Sequence, residues 1–139
     1  MKKVMKQLSN YFTWDEMLYS HTAEKHGIQN VPERKERVAL EELVKRTLQP
    51  LRLAYGGPIQ ITSGYRCPAL NKLVGGVPSS QHTKGQAADC VIRGSAQKLL
   101  GVLLANELPF DRVILYRKRN FLHISLRSEN NRGDIFFKD

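Results

Sequence analysis

Cysteine is scarce in this chain. Cys67 and Cys90 are the only two, too few for a disulfide framework and too far apart for a CxxC metal pair. Both are expected to be free thiols, as in a reducing compartment. Long hydrophobic runs are missing too: no stretch approaches the roughly 18–20 apolar residues that a spanning helix needs. The opening "MKKVMKQLSNYF" has a basic tip but lacks the apolar segment of a secretory signal. Synthesis in the cytoplasm is therefore expected, with release by another agent if the protein acts outside. Acidic residues are in deficit, 13 against 22 lysines and arginines, for a formal charge of +9. That balance favours a polyanionic partner, whether nucleic acid, an anionic membrane surface or an anionic cell wall. No RGG tract, C2H2 pattern or RRM-like aromatic signature is present, so a nucleic-acid partner is not expected. Repeats, linkers and low-complexity segments are absent as well. The expectation is one domain over residues 1–139, long enough for a real core, acting as a monomer.

Periodicity supplies the elements. "FTWDEMLYSHTAEKHG" opens on Thr13 with Glu16 three residues later, a capping-box pattern that predicts a short helix ending near Gly27. In "NVPERKERVALEELVKRTLQPLRLAYGG", Val38, Leu40, Leu43, Val44, Leu48 and Leu51 recur at helical intervals, with Pro50 as an expected kink. "PIQITSGYR" reads as a strand turning into a loop at Gly64, and "PALNKLVGG" as two helical turns closed by glycine. "GQAADCVI" reads as a strand and "GSAQKLLGVLLANELPF" as a helix capped by Ser95. "DRVILY", "NFLHISL" and "DIFFK" read as three further strands, with Asn120 at the first turn. The fold class is α+β, with amino-terminal helices packed on a small, mainly antiparallel sheet.

Strand alternation then places the chemistry. Leu122, Ile124 and Leu126 share the core face of their strand, which leaves His123 on the other. Asp89 follows two alanines, a setting where an ionised carboxylate needs a cation or several donors. Cys90, its neighbour, points the opposite way, into the core. His82 lies in the loop entering the same strand, and Gly85 lets the chain turn tightly between them. Two imidazoles and one carboxylate suit Zn²⁺ with a fourth position left open. The residues alone leave an alternative standing: a loop histidine, a salt-bridged carboxylate and a hydrogen-bonded strand histidine. His21 and His26 are five apart, share no helix face and read as ordinary surface or packing residues; Cys67 reads as an incidental thiol.

The stretch "ITSGYRCPALNKLVGGVPSSQHTKGQAADC" resembles the signature of the zinc D-alanyl-D-alanine carboxypeptidases and related peptidoglycan endopeptidases. Their pattern S-x-H-x-x-G-x-A-x-D is met by Ser80, His82, Gly85, Ala87 and Asp89, and "FLHIS" supplies His123. Most of the chain takes part in the resemblance, including segments similar to compact members that phages and prophages often encode. It implies one Zn²⁺ on His82, Asp89 and His123, and hydrolysis of peptidoglycan peptide stems through a metal-activated water. It also implies Arg66, from "SGYR", as a clamp for the substrate oxyanion or carboxylate, with Ser80 and Gln81 supporting the ligands. The cell wall becomes the place of action, and the "GGVPSS" loop reads either as a substrate-facing rim or as a flexible connection.

One role is not filled by the pattern. Relatives carry an acid three positions before the last histidine, where this chain has Asn120, which is no base. Compact relatives carry a glutamate where this chain has Tyr116, a hydroxyl able to donate to an oxyanion but a poor base, with an ordinary pKa of about 10. Asp111 is the nearest remaining acid and the weak candidate for general base; Glu129 is farther off. A zinc-containing wall-binding module that has lost catalysis is therefore the alternative to an enzyme.

Overall fold

A computed structural model describes residues 6–139; the first five residues of the basic tip lie outside them. Two short helices, α1 (Trp14–Leu18) and α2 (His21–Lys25), stand where the sequence predicts a single one. Ser20 is extended and its hydroxyl accepts from the Ala23 N–H, so a second cap interrupts the helix that Thr13 and Glu16 begin.

The long amphipathic segment does form one helical rod, but Pro50 does not break it. Helix α3 (Arg34–Leu43) passes through a π-helical turn (Val44–Leu48) into α4 (Gln49–Tyr55). The wide turn, in which the Gln49 N–H bonds to the Val44 carbonyl, opens the ladder just where the proline ring would collide with the preceding turn. Leu40, Leu43, Val44, Leu48 and Leu51 are buried along it, whereas Val38, also predicted for that face, is half exposed.

The remaining elements are β1 (Gln60–Ser63), α5 (Pro68–Leu73), a 3₁₀ turn (Gln81–Lys84), β2 (Ala87–Val91), α6 (Ala96–Ala105), β3 (Arg112–Tyr116), β4 (Phe121–Ser125) and β5 (Asp134–Lys138). The strands form one sheet in the order β1-β2-β4-β3-β5. Every pairing is antiparallel except β3 with β5, which is parallel. The sheet is thus mostly antiparallel, in a mixed helix-and-sheet fold. On one face Ala88, Cys90, Val113, Leu115, Leu122 and Ile124 join the leucines of the rod and Leu99 and Leu103 of α6 in a single core. Period-two alternation then forces the partners of those residues, Asp89, Arg112, Ile114, Tyr116 and His123, onto the other face. That face carries the site.

Candidate metal centre

Register brings the first two residues together. Asp89 on β2 and His123 on β4 are directly paired across the strands, so their side chains rise side by side from the sheet. His123 Nδ1 lies 3.0 Å from Asp89 Oδ1. The third residue arrives from the loop. Ser80 caps the 3₁₀ turn by accepting from the His82 N–H, and Gly85 ends it at φ 72°. A side chain at Gly85 would meet the Glu36 carbonyl at 2.3 Å, so the turn fits only without a Cβ. His82 Nε2 is thereby held 3.4 Å from the same Asp89 oxygen. One ligand atom from each of His82, Asp89 and His123 lies within 4.8 Å of the others.

The hydrogen bonds around the group set its charge. His82 Nδ1 is 2.7 Å from the Gly64 carbonyl, which only accepts, so that nitrogen carries the proton. In the neutral ring Nε2 then presents a lone pair to a carboxylate, an arrangement that calls for a cation between them. Burial pushes the His123 pKa down, although Asp89 opposes it, and so favours the neutral imidazole that metals bind. Burial of Asp89 disfavours its charge, yet the imidazoles of His123 and His82 beside it outweigh burial and hold the carboxyl far below the usual range. The separations of 3.0 and 3.4 Å also match the ~3.3 Å edge of a tetrahedron with metal–ligand bonds of about 2.0–2.1 Å. Donor chemistry, protonation and spacing all fit a divalent metal.

The group lies on the wall of a cleft of about 1350 Å³. Among the described residues its lining includes seven lysines and arginines and a single carboxylate, that of Asp89. Arg66 is one of them. Its Nε donates to Asn71 Oδ1 at 3.1 Å, with the hydroxyls of Ser63 and Ser80 at 3.5 Å from its terminal nitrogens. Partial burial lowers its pKa, while Asp89 and Tyr116 favour its charge. Tyr116 lines the cleft, stacked on Phe121 with 4.2 Å between ring centroids. Gly75, Gly76, Val77, Ser79 and Ser80 form part of the rim, as does His21; His26 does not.

Other residues singled out from the sequence lie elsewhere. Asp111 is fully buried and does not line the cleft. Its carboxylate accepts from Arg132 N, Nε and Nη2 at 2.9, 3.1 and 2.6 Å, and from Gln81 Nε2 at 3.0 Å. The Arg132 hydrogen bonds, against some opposition from burial, lower its pKa to about 2. The general-base assignment is corrected accordingly: every lone pair that a base would need is engaged, and the group is tied to the loop before β5. Gln81 bonds Gln86 and Asp111, not the three donors, so of the two supporting residues only Ser80 touches His82. Asn120 adopts φ 57° and bonds the Ala96 N–H and the Gly94 carbonyl at the start of α6, pointing away from the cleft. Glu129 is exposed in the β4–β5 connection.

The sequence motifs assign no role to two residues that position the site. Gly64 supplies the carbonyl that orients His82, and a Cβ there would meet the Met17 carbonyl at 2.3 Å. Asn30 donates to the Leu18 and Tyr65 carbonyls and accepts from the Cys67 N–H, bracketing Arg66 between its last two contacts. An isolated asparagine in "GIQNVPE" offers no periodicity from which to read that role.

A group of two imidazoles and one carboxylate on an α+β sheet, facing a basic cleft, defines a candidate divalent-metal centre. Comparison with known families narrows the class. The chain belongs to the peptidase M15 family, whose family model matches residues 10–125, well over half of its length. That membership supports a metallopeptidase of a family that is zinc-dependent in general. No curated protein matches the chain. No helix among the described residues is long and apolar enough to cross a membrane.

Proposed function

We propose that the chain is a single-domain zinc peptidase that hydrolyses the peptide stems of bacterial peptidoglycan, as carboxypeptidase or endopeptidase, at the cell wall. The observation that carries this reading is the convergence of His82, Asp89 and His123 within the family-matched segment. Those three residues would hold the ion. Zinc supplies Lewis acidity toward a carbonyl oxygen and lowers the pKa of a water in its open position.

The chain's own groups do the rest. The Gly64 carbonyl keeps the His82 proton on Nδ1 and so keeps Nε2 available as a donor. Arg66, anchored by Asn71, offers its terminal nitrogens to a substrate carboxylate or to the oxygen that gains charge. The Tyr116 hydroxyl is a second donor on the same wall. The basic lining attracts an anionic substrate, and the formal charge of +9 extends that attraction to the anionic wall.

A second reading rests on one observation. Apart from Asp89, no carboxylate among the described residues lines the cleft, so none is free to move a proton there. That favours a zinc-containing module that binds the wall without cutting it. One experiment separates the two. Purified protein is assayed for zinc by elemental analysis and incubated with peptidoglycan, with and without chelator, followed by mass spectrometry of released fragments. A peptidase retains about one zinc and releases stem fragments in a chelator-sensitive way. Retained zinc without release selects the binding module. Absence of metal, unchanged in His82→Ala, would sink both.

A further inference from the structure

Arg112 stands out among the cleft cations. Its Nε is the one buried side-chain nitrogen or oxygen among the described residues with no hydrogen-bond partner. It also makes no ion pair among the described residues: the cross-strand carboxylate, Asp134, pairs instead with Arg132 at 4.0 Å. A guanidinium directed into a cleft with an unmet donor is poised for an anion, since burial without a partner is costly. Its position is supported by a segment that lies beyond the family-matched residues. Phe136 on β5 underlies the guanidinium at 5.0 Å, and Lys138 on the same strand lines the same cleft.

We infer that Arg112, backed by Phe136, forms a second carboxylate-binding subsite that takes an acidic group of the substrate remote from the bond cut. The sheet register sets the distance. His123, Ile114 and Phe136 lie in one cross-strand row on β4, β3 and β5. Arg112 lies on β3, one strand spacing from β4 and opposite Ser125, so its backbone is about 8 Å from that of His123, a span an extended peptide covers in about two to three residues. The planar, two-pronged guanidinium matches a carboxylate; Lys138, whose ammonium sits over the Tyr116 ring at 5.7 Å, farther along β3, adds only to the general positive field of the cleft. This subsite rests on the reading of the cleft as a peptide site, and it adds selectivity for an acidic stem over its amidated form.

The test titrates the as-purified protein calorimetrically with a peptidoglycan stem tetrapeptide, and with analogues in which one carboxylate at a time is an amide. Release of fragments from whole peptidoglycan is followed in parallel. Wild type should bind the acid form about tenfold or more tightly than the analogue lacking one particular carboxylate. Arg112→Gln should lose that discrimination for the same carboxylate alone, Arg112→Lys should keep part of it, and Phe136→Ala should weaken it. An Arg112→Gln protein that discriminates among all analogues as wild type does overturns the subsite. In that case, continued fragment release by wild type leaves the peptidase reading intact. If wild type neither binds stems nor releases fragments, the subsite and the peptidase reading fall together.

Discussion

Replacing Asp111 by asparagine distinguishes a structural carboxylate from a chemical one. The substitution removes a charge that is fully buried and accepts four hydrogen bonds, three of them from Arg132. Removing one partner of a buried ion pair costs about 3–5 kcal/mol, but Arg132 is half exposed and regains water, so about 2–3 kcal/mol is expected here. For a chain of this size that lowers the Tm by roughly 10 °C. Part of the effect depends on pH. The folded pKa is about 2 against a reference of 3.8, so the stabilisation is fully present above pH 3.8 and is lost as pH falls through about 2. The full difference corresponds to roughly 2.4 kcal/mol, and solvent around Arg132 reduces it to about 1–2. Urea denaturation followed by circular dichroism at pH 7, 4, 3 and 2 should show the gap between wild type and Asp111→Asn narrowing by that amount below pH 4. Zinc content and activity per folded molecule should stay near wild type. An unchanged Tm combined with abolished hydrolysis would refute the reasoning and return Asp111 to the chemistry.

Two further substitutions test how the site is positioned. Gly64→Ala should lower metal affinity about 10- to 100-fold, because the new Cβ would collide with the Met17 carbonyl and shift the carbonyl that orients His82. Competition with a zinc-sensitive dye measures it, and unaltered affinity would show that His82 is oriented by other contacts. Asn120→Asp places an acid three residues before His123, yet should leave the hydrolysis rate unchanged, because that side chain caps α6 outside the cleft. A rise in kcat of tenfold or more would show that the side chain at position 120 reaches the metal group during turnover.

Much of the architecture is legible from local pattern. Thr13 and Glu16 announce a cap, and alternating Leu122, Ile124 and Leu126 assign the core face of β4, because each signal depends on neighbours a few residues apart. The same alternation puts Asp89, His123, Arg112 and Tyr116 on one face before any pairing is known. Other features depend on partners distant in the chain. Pro50 reads as an expected kink, but the π-helical turn that accommodates it is seen only in the structure, and Ser20 reads as mid-helix until its extended backbone divides α1 from α2.

The sequence by itself determined the class of fold, the donor types and the face on which they stand, since hydrophobic period and backbone sterics are local properties. Only the tertiary structure decided what each acid is for. Asp111 precedes a strand and Asp89 lies within one, but what separates them is their surroundings: Asp111 meets Arg132 and Gln81 whereas Asp89 meets two imidazoles. The cost of burying a charge is offset by whatever lies around it, and that neighbourhood is assembled by strand register and loop closure. The parallel docking of β5 is of the same kind: it brings Phe136 under Arg112 and turns a strand arginine into a guanidinium that awaits an anion.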